Sequence, residues 1–137
     1  MTRRTLRHLA LGSCFLALAC GGGVGVELAS QATTDSLVIA FSSADGRDRA
    51  LSQVDFVSLR RCSREGHEVY WLLRRSPGSA EALPSRLEYG RSPAGWVADP
   101  AARDLVVGCY ELSVDGSDGV RGGMTFVVDS AGRVARP

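Results

Sequence analysis

The chain contains no lysine and no asparagine, and Ile39 is its only isoleucine. All 16 basic residues are therefore arginine, set against 15 acids. These gaps read as the codon bias of a GC-rich genome, so Arg60-Arg61 and Arg74-Arg75 are solvated strand positions where other proteins place lysine. A net charge of +1 leaves no strongly basic face for nucleic acid. Long apolar runs are missing too. The longest, Leu9 to Ala19, has 11 residues, whereas a membrane-spanning helix takes about 20. Beyond it no amphipathic helical repeat of useful length occurs, which excludes a helix bundle.

Residues that carry chemistry are equally scarce. The two histidines are His8 and His67. Cys62 and His67 could give two soft metal ligands, but a structural zinc site takes four. No Gly-x-Ser-x-Gly elbow is present to present a serine nucleophile. Asp115, Asp118 and Asp129 stand beside glycines without the spacing of a calcium loop, and tight turns account for them. Gly21, Gly23 and Gly25 follow no strand and open no helix, so they do not form a phosphate-binding loop. The expectation is a protein that is not an enzyme and has no metal or cofactor.

What is present begins at the N-terminus. Arg3, Arg4 and Arg7 form a charged head without acids, followed by the Leu9–Ala19 apolar run. Next comes Ala17-Leu18-Ala19-Cys20, then three glycines. This order resembles the lipobox of bacterial lipoprotein precursors, with Ala17 where that family prefers leucine. The resemblance implies removal of residues 1–19 as a signal peptide and acylation of Cys20, hence a membrane anchor in the cell envelope. Gly21, in place of the aspartate that retains such proteins at the inner membrane, favours the outer membrane. Two alternatives share the segment. Ala17-x-Ala19 also fits ordinary secretory cleavage, and the glycines could extend an uncleaved anchor from Leu9 to Val26.

Once the signal is removed, 13 arginines face 15 acids, because residues 1–19 hold three arginines and no acid. The remainder is the size of one domain. Residues 20–34, rich in Gly, Ala, Ser and Thr, read as a lipidated flexible tether. Residues 35–137 read as strands almost throughout: Ser36–Ser42, Val54–Cys62, Glu68–Arg75, Arg86–Tyr89, Gly95–Ala98, Gly108–Asp115 and Met124–Asp129. Ala101–Asp104 is expected to form one helical turn. Pairing the second and third strands as a hairpin sets Leu59 opposite Trp71, Val57 opposite Leu73 and Asp55 beside Arg75. Phe56, Tyr70 and Leu72 then share the other face with Ser58, Arg60 and Cys62. Later, Tyr110, Leu112 and Val114 face one way and Cys109, Glu111 and Ser113 the other.

About seven short strands without a useful helix predict an all-β fold, a single antiparallel β-sandwich. Leu105-x-x-Gly108-x-Tyr110-x-Leu112-x-Val114 resembles the tyrosine corner of immunoglobulin-like and fibronectin type III domains, and the last strand pair resembles the end of transthyretin-like modules. In the former, a tyrosine hydroxyl turns back onto the backbone at a strand corner. With Cys14 in the signal and Cys20 acylated, Cys62 and Cys109 remain, and an exported domain pairs them as a disulfide. Alternation places both off the Trp71 face, so the bridge is expected outside the core.

Tyr89, Arg91 and Trp96 lie among glycine and proline turns. They form a candidate contact surface, although packing of Trp96 over the end of the sandwich is the favoured reading. The functional expectation is an envelope lipoprotein whose sandwich binds or supports another envelope protein. The alternative is a small-ligand or carbohydrate-binding module using the Tyr89–Trp96 region.

Overall fold

The computed structural model describes residues 23–29, 31–44, 46, 49–63 and 68–137. The lipobox, His67 and the turn containing Glu65-Gly66 lie outside the described residues. Within them the chain is an antiparallel β-sandwich. The smaller sheet holds β1 (Val24–Leu28), β2 (Val38–Ser43) and β5 (Arg86–Glu88), in the order β1-β2-β5. The larger holds β3 (Val54–Arg61), β4 (Val69–Arg75), β6 (Trp96–Ala98), β7 (Gly108–Gly116), β8 (Arg121–Val128) and β9 (Val134–Ala135), in the order β6-β4-β3-β7-β8-β9. A one-turn helix, α1 (Arg49–Ser52), enters β3, and a 3-10 turn at Ser117–Gly119 joins β7 to β8.

Period-2 alternation explains the two faces of the larger sheet. Val57 and Leu59 of β3, Trp71 and Leu73 of β4, and Tyr110, Leu112 and Val114 of β7 point inward and are almost completely buried. Their outward neighbours Phe56, Arg60, Arg74 and Glu111 are exposed. The β3–β4 register sets Leu59 against Trp71 and Val57 against Leu73, as the sequence pattern requires. Asp55 and Arg75 come within 3.9 Å of each other.

Tyr70 departs from that pattern. A bulge between Leu59 and Arg60 shifts the register so that Arg60 pairs with Val69, and Tyr70 is left without a partner in the ladder. The extra residue lets its ring turn away from Phe56 and Leu72. Tyr70 is buried and meets Tyr110 edge-on at 5.1 Å.

Two further expectations are corrected. Residues 24–28 are not part of a tether: they form β1, paired with β2 from Val24↔Ser43 to Leu28↔Ile39. Val24 and Val26 bury themselves in the core while Glu27 stays in water. Composition masked a strand whose alternation spans only three apolar residues. β1 also lies so close to β8 that a Cβ on Gly122 would collide with the Val24 carbonyl oxygen. Val24 and Val26, the last residues of the Leu9–Val26 alternative, belong to the sandwich core. The second correction concerns residues 101–104, which form no helix. The chain there runs extended beside β4, with the Asp99 and Arg103 amides donating to the Leu72 and Tyr70 carbonyls and the Leu72 amide to the Pro100 carbonyl. Satisfying that sheet edge outweighs the helical preference of two alanines.

All strands run between two ends of the sandwich. One end gathers Gly23, Ala44, α1 and the Ser117–Gly119 turn. Here Gly23 bridges to Arg121, the Ala44 amide donates to the Gly23 carbonyl, and Ser117 N–H donates to the Gln53 carbonyl. The other end gathers the start of β2, Cys62, Cys109, the 101–107 strap and the turn before β9.

Candidate functional site

The far end, remote from Gly23, holds the densest arrangement of aromatic and polar side chains. Tyr110 is its centre. Its hydroxyl donates to the Val106 carbonyl at 2.8 Å and accepts the Val106 amide at 2.9 Å. This is the corner geometry that the Leu105–Val114 pattern predicts, and it closes the loop leading into β7. The Tyr110 ring stacks on Phe126 with centroids 5.5 Å apart.

Tyr89 holds the same strap from the smaller sheet. Its hydroxyl donates to the Arg103 carbonyl at 2.7 Å, and its ring meets Trp71 edge-on at 5.1 Å. The Arg103 guanidinium lies 4.5 Å from the centre of the Tyr70 ring and pairs with Glu68 at 2.7 Å. Thr34, Asp35, Tyr89, Gly90 and the 101–105 segment surround a depression of about 380 Å³. The Glu68–Arg103 pair was not visible in the sequence. The two are far apart in the chain and meet because the 101–104 segment runs beside β4, where the Arg103 amide donates to the Tyr70 carbonyl.

Burial raises the Tyr89 hydroxyl well above the ordinary phenol value, more than its backbone hydrogen bond lowers it. Desolvation raises Tyr110 in the same direction. Folding therefore favours both neutral phenols. The resulting stability is complete below about pH 10, the unfolded value, and is lost as pH rises through the folded values. Alkaline titration should show phenolate absorbance from these two tyrosines appearing together with unfolding. Replacing either with phenylalanine should weaken the pH dependence in that range.

A second concavity lies where β1 meets β9. Residues 27–29, 31–33 and 133–136 line a groove of about 710 Å³. Its walls are tied together by Val134 N–H donating to the Ala32 carbonyl and by the Arg136 guanidinium donating to the Val26 carbonyl at 2.7 Å. At its rim, Asp129 is held below the usual carboxylate range, chiefly by the Arg133 amide, with the Ala131 amide and the Arg133 guanidinium adding to it. This groove depends on β1, so reading residues 20–34 as a tether concealed it.

The structure separates the residues of the Tyr89–Trp96 surface. Tyr89 reaches the start of β4, whereas Trp96 pairs with Arg75 at its end. Trp71 and Arg75 are four residues apart, about 13 Å along a strand. Trp96 is 4% exposed, with the Arg75 guanidinium 5.4 Å from its ring centre. It packs over the sandwich end instead of facing a partner. Arg91 is exposed and pairs with Glu88 at 2.8 Å. The contact surface proposed from Tyr89, Arg91 and Trp96 therefore lacks its main aromatic.

Cys62 and Cys109 form a disulfide with Cα atoms 5.2 Å apart. Cys62 is exposed and Cys109 half-buried, so the bridge lies outside the core as the alternation requires. Among the described residues, no three His, Cys, Asp or Glu side chains converge as a metal site would need. None of the helices among them is long and apolar enough to cross a membrane. No protein family, curated protein or solved structure matches this chain.

Proposed function

We propose that this protein is an exported lipoprotein of the cell envelope, acylated at Cys20, with the outer membrane favoured, whose β-sandwich serves a non-enzymatic binding or structural role. The observation that carries the export half is the Cys62–Cys109 bridge. An exposed disulfide in a small domain belongs to an oxidising compartment. It agrees with the arginine head, the short apolar run and the cysteine after Ala17-Leu18-Ala19. Two or more acyl chains at Cys20, each CH₂ contributing about 0.8 kcal/mol when buried, hold a protein on a bilayer without a transmembrane helix.

The binding half rests on what the hydrogen bonds at the far end accomplish. Tyr89, Tyr110 and Arg103 fix the 101–107 strap, which presents Val106 and Val107 to solvent at 49% and 56% exposure. A rigid loop with exposed apolar side chains suits contact with another envelope protein. Metabolic labelling with palmitate tests the anchor. The full chain should incorporate the label in a bacterial host and Cys20→Ser should not. Equal labelling of both would overturn the assignment.

A further inference from the structure

β1 sets how far the folded domain can stand from Cys20. Gly23 is already part of the sandwich, bridged to Arg121 and hydrogen-bonded through its carbonyl to Ala44. Only Gly21 and Gly22 separate it from Cys20. Three residue steps span at most about 11 Å. Acyl chains on Cys20 place that residue at the headgroup layer, so Gly23 is held within this distance of the bilayer. A flexible tether of residues 20–34 would have given a reach of about 20 Å and free reorientation.

We propose that the anchored protein stands end-on, with the end carrying Gly23, Ala44, α1 and the Ser117–Gly119 turn against the lipid headgroups. This inference rests on acylation of Cys20. The surface that meets the bilayer carries Arg49 and Arg121, both exposed, together with Asp115 and Asp118. Arg121 stands 4.0 Å from Asp115, and Asp118 accepts a hydrogen bond from the Gln53 side chain. Charges of both signs make this end a poor membrane binder by itself, and the short covalent link supplies the orientation.

β8 then rises away from the membrane, adding about 23 Å over its eight residues. The groove between β1 and β9, the disulfide and the Val106-Val107 strap all lie at the outer end. Whatever this domain contacts is met there, clear of the headgroups.

Two arginines form a natural pair of reporters. Arg121 is at the membrane end and Arg133 at the outer end, with side chains 84% and 75% exposed. The full-length, processed protein in vesicles of phosphatidylethanolamine and phosphatidylglycerol would be treated with phenylglyoxal and mapped by peptide mass. A variant with a spacer of about 15 Gly and Ser residues between Gly22 and Gly23 regains a reach of about 20 Å. Arg121 modification should be slower in the native chain than in the spacer variant, while Arg133 reacts equally in both. Equal Arg121 rates in the two chains, or shielding of Arg133, would overturn the orientation. The mass of the Cys20 peptide is read in the same experiment. An unmodified Cys20 would instead remove the anchor reading on which the orientation depends.

Discussion

Trp71→Ala is expected to destabilise the domain by about 3–5 kcal/mol, the usual cost of removing a large aromatic from a core. Trp71 is fully buried, sits opposite Leu59 on β4 of the larger sheet, and meets Tyr89, just beyond β5 of the smaller sheet, edge-on. It therefore joins the two layers as well as filling one. Its indole N–H has no hydrogen-bond partner among the described residues, so truncation chiefly sacrifices packing. That separates two variants. Trp71→Phe keeps most of the buried aromatic ring, so it should cost clearly less than alanine. Urea unfolding measures both, with an unchanged m-value showing that only stability moved. A Trp71→Ala loss below about 1 kcal/mol would mean that Trp71 does not occupy the core described above.

The second large effect belongs to the disulfide. Replacing Cys62 and Cys109 together by serine should cost about 4 kcal/mol in the chain-entropy model, given a sequence separation of 47. The size matters because a domain of this length is stable by only about 5–15 kcal/mol. The reason lies in the unfolded chain. In the folded one, β3 and β7 are adjacent and Cys62 N–H already donates to the Cys109 carbonyl. The bridge is half-exposed, so the double serine variant leaves no core cavity. The folded structure should therefore survive, with its tryptophan fluorescence unchanged, at a reduced unfolding midpoint. A double variant as stable as the parent would show that the bridge constrains little in the unfolded ensemble.

Which parts of this architecture the sequence disclosed follows from how far each signal reaches. Alternation in β3, β4, β7 and β8 is a local, period-2 property. It placed Leu59 against Trp71, kept both cysteines off the buried face and brought Asp55 to Arg75. The tyrosine corner is equally local, since Tyr110 bonds the backbone four residues earlier. Features that depend on distant partners stayed hidden. β1 is specified by its pairing with β2 and its contact with β8 across the sandwich, and its glycines resemble a linker until Gly122 is seen packed against Val24. The bulge that buries Tyr70 leaves no mark in the hydrophobic pattern. The 101–104 segment is extended because β4 needs a partner beyond β6, which two alanines and an arginine do not announce.

The candidate site was disclosed less well for the same reason. Tyr89 was singled out, but its role is to hold Arg103 and pack on Trp71, not to join Trp96 on a surface. The groove between β1 and β9 was out of reach because one wall is made by residues read as a tether. These corrections bear directly on function. Gly23 already belongs to the sandwich, and under the proposed acylation Cys20 would act as an orienting device instead of a loose leash.

Everything in that account hangs on the state of one residue. Intact-mass and peptide mass spectrometry of the protein extracted from bacterial membranes tests it most directly. The account predicts a mature chain beginning at Cys20 and carrying a diacylglyceryl group on its thiol, with residues 1–19 gone. A chain that retains Met1 to Ala19, or one that begins at Cys20 with no added mass, would contradict it.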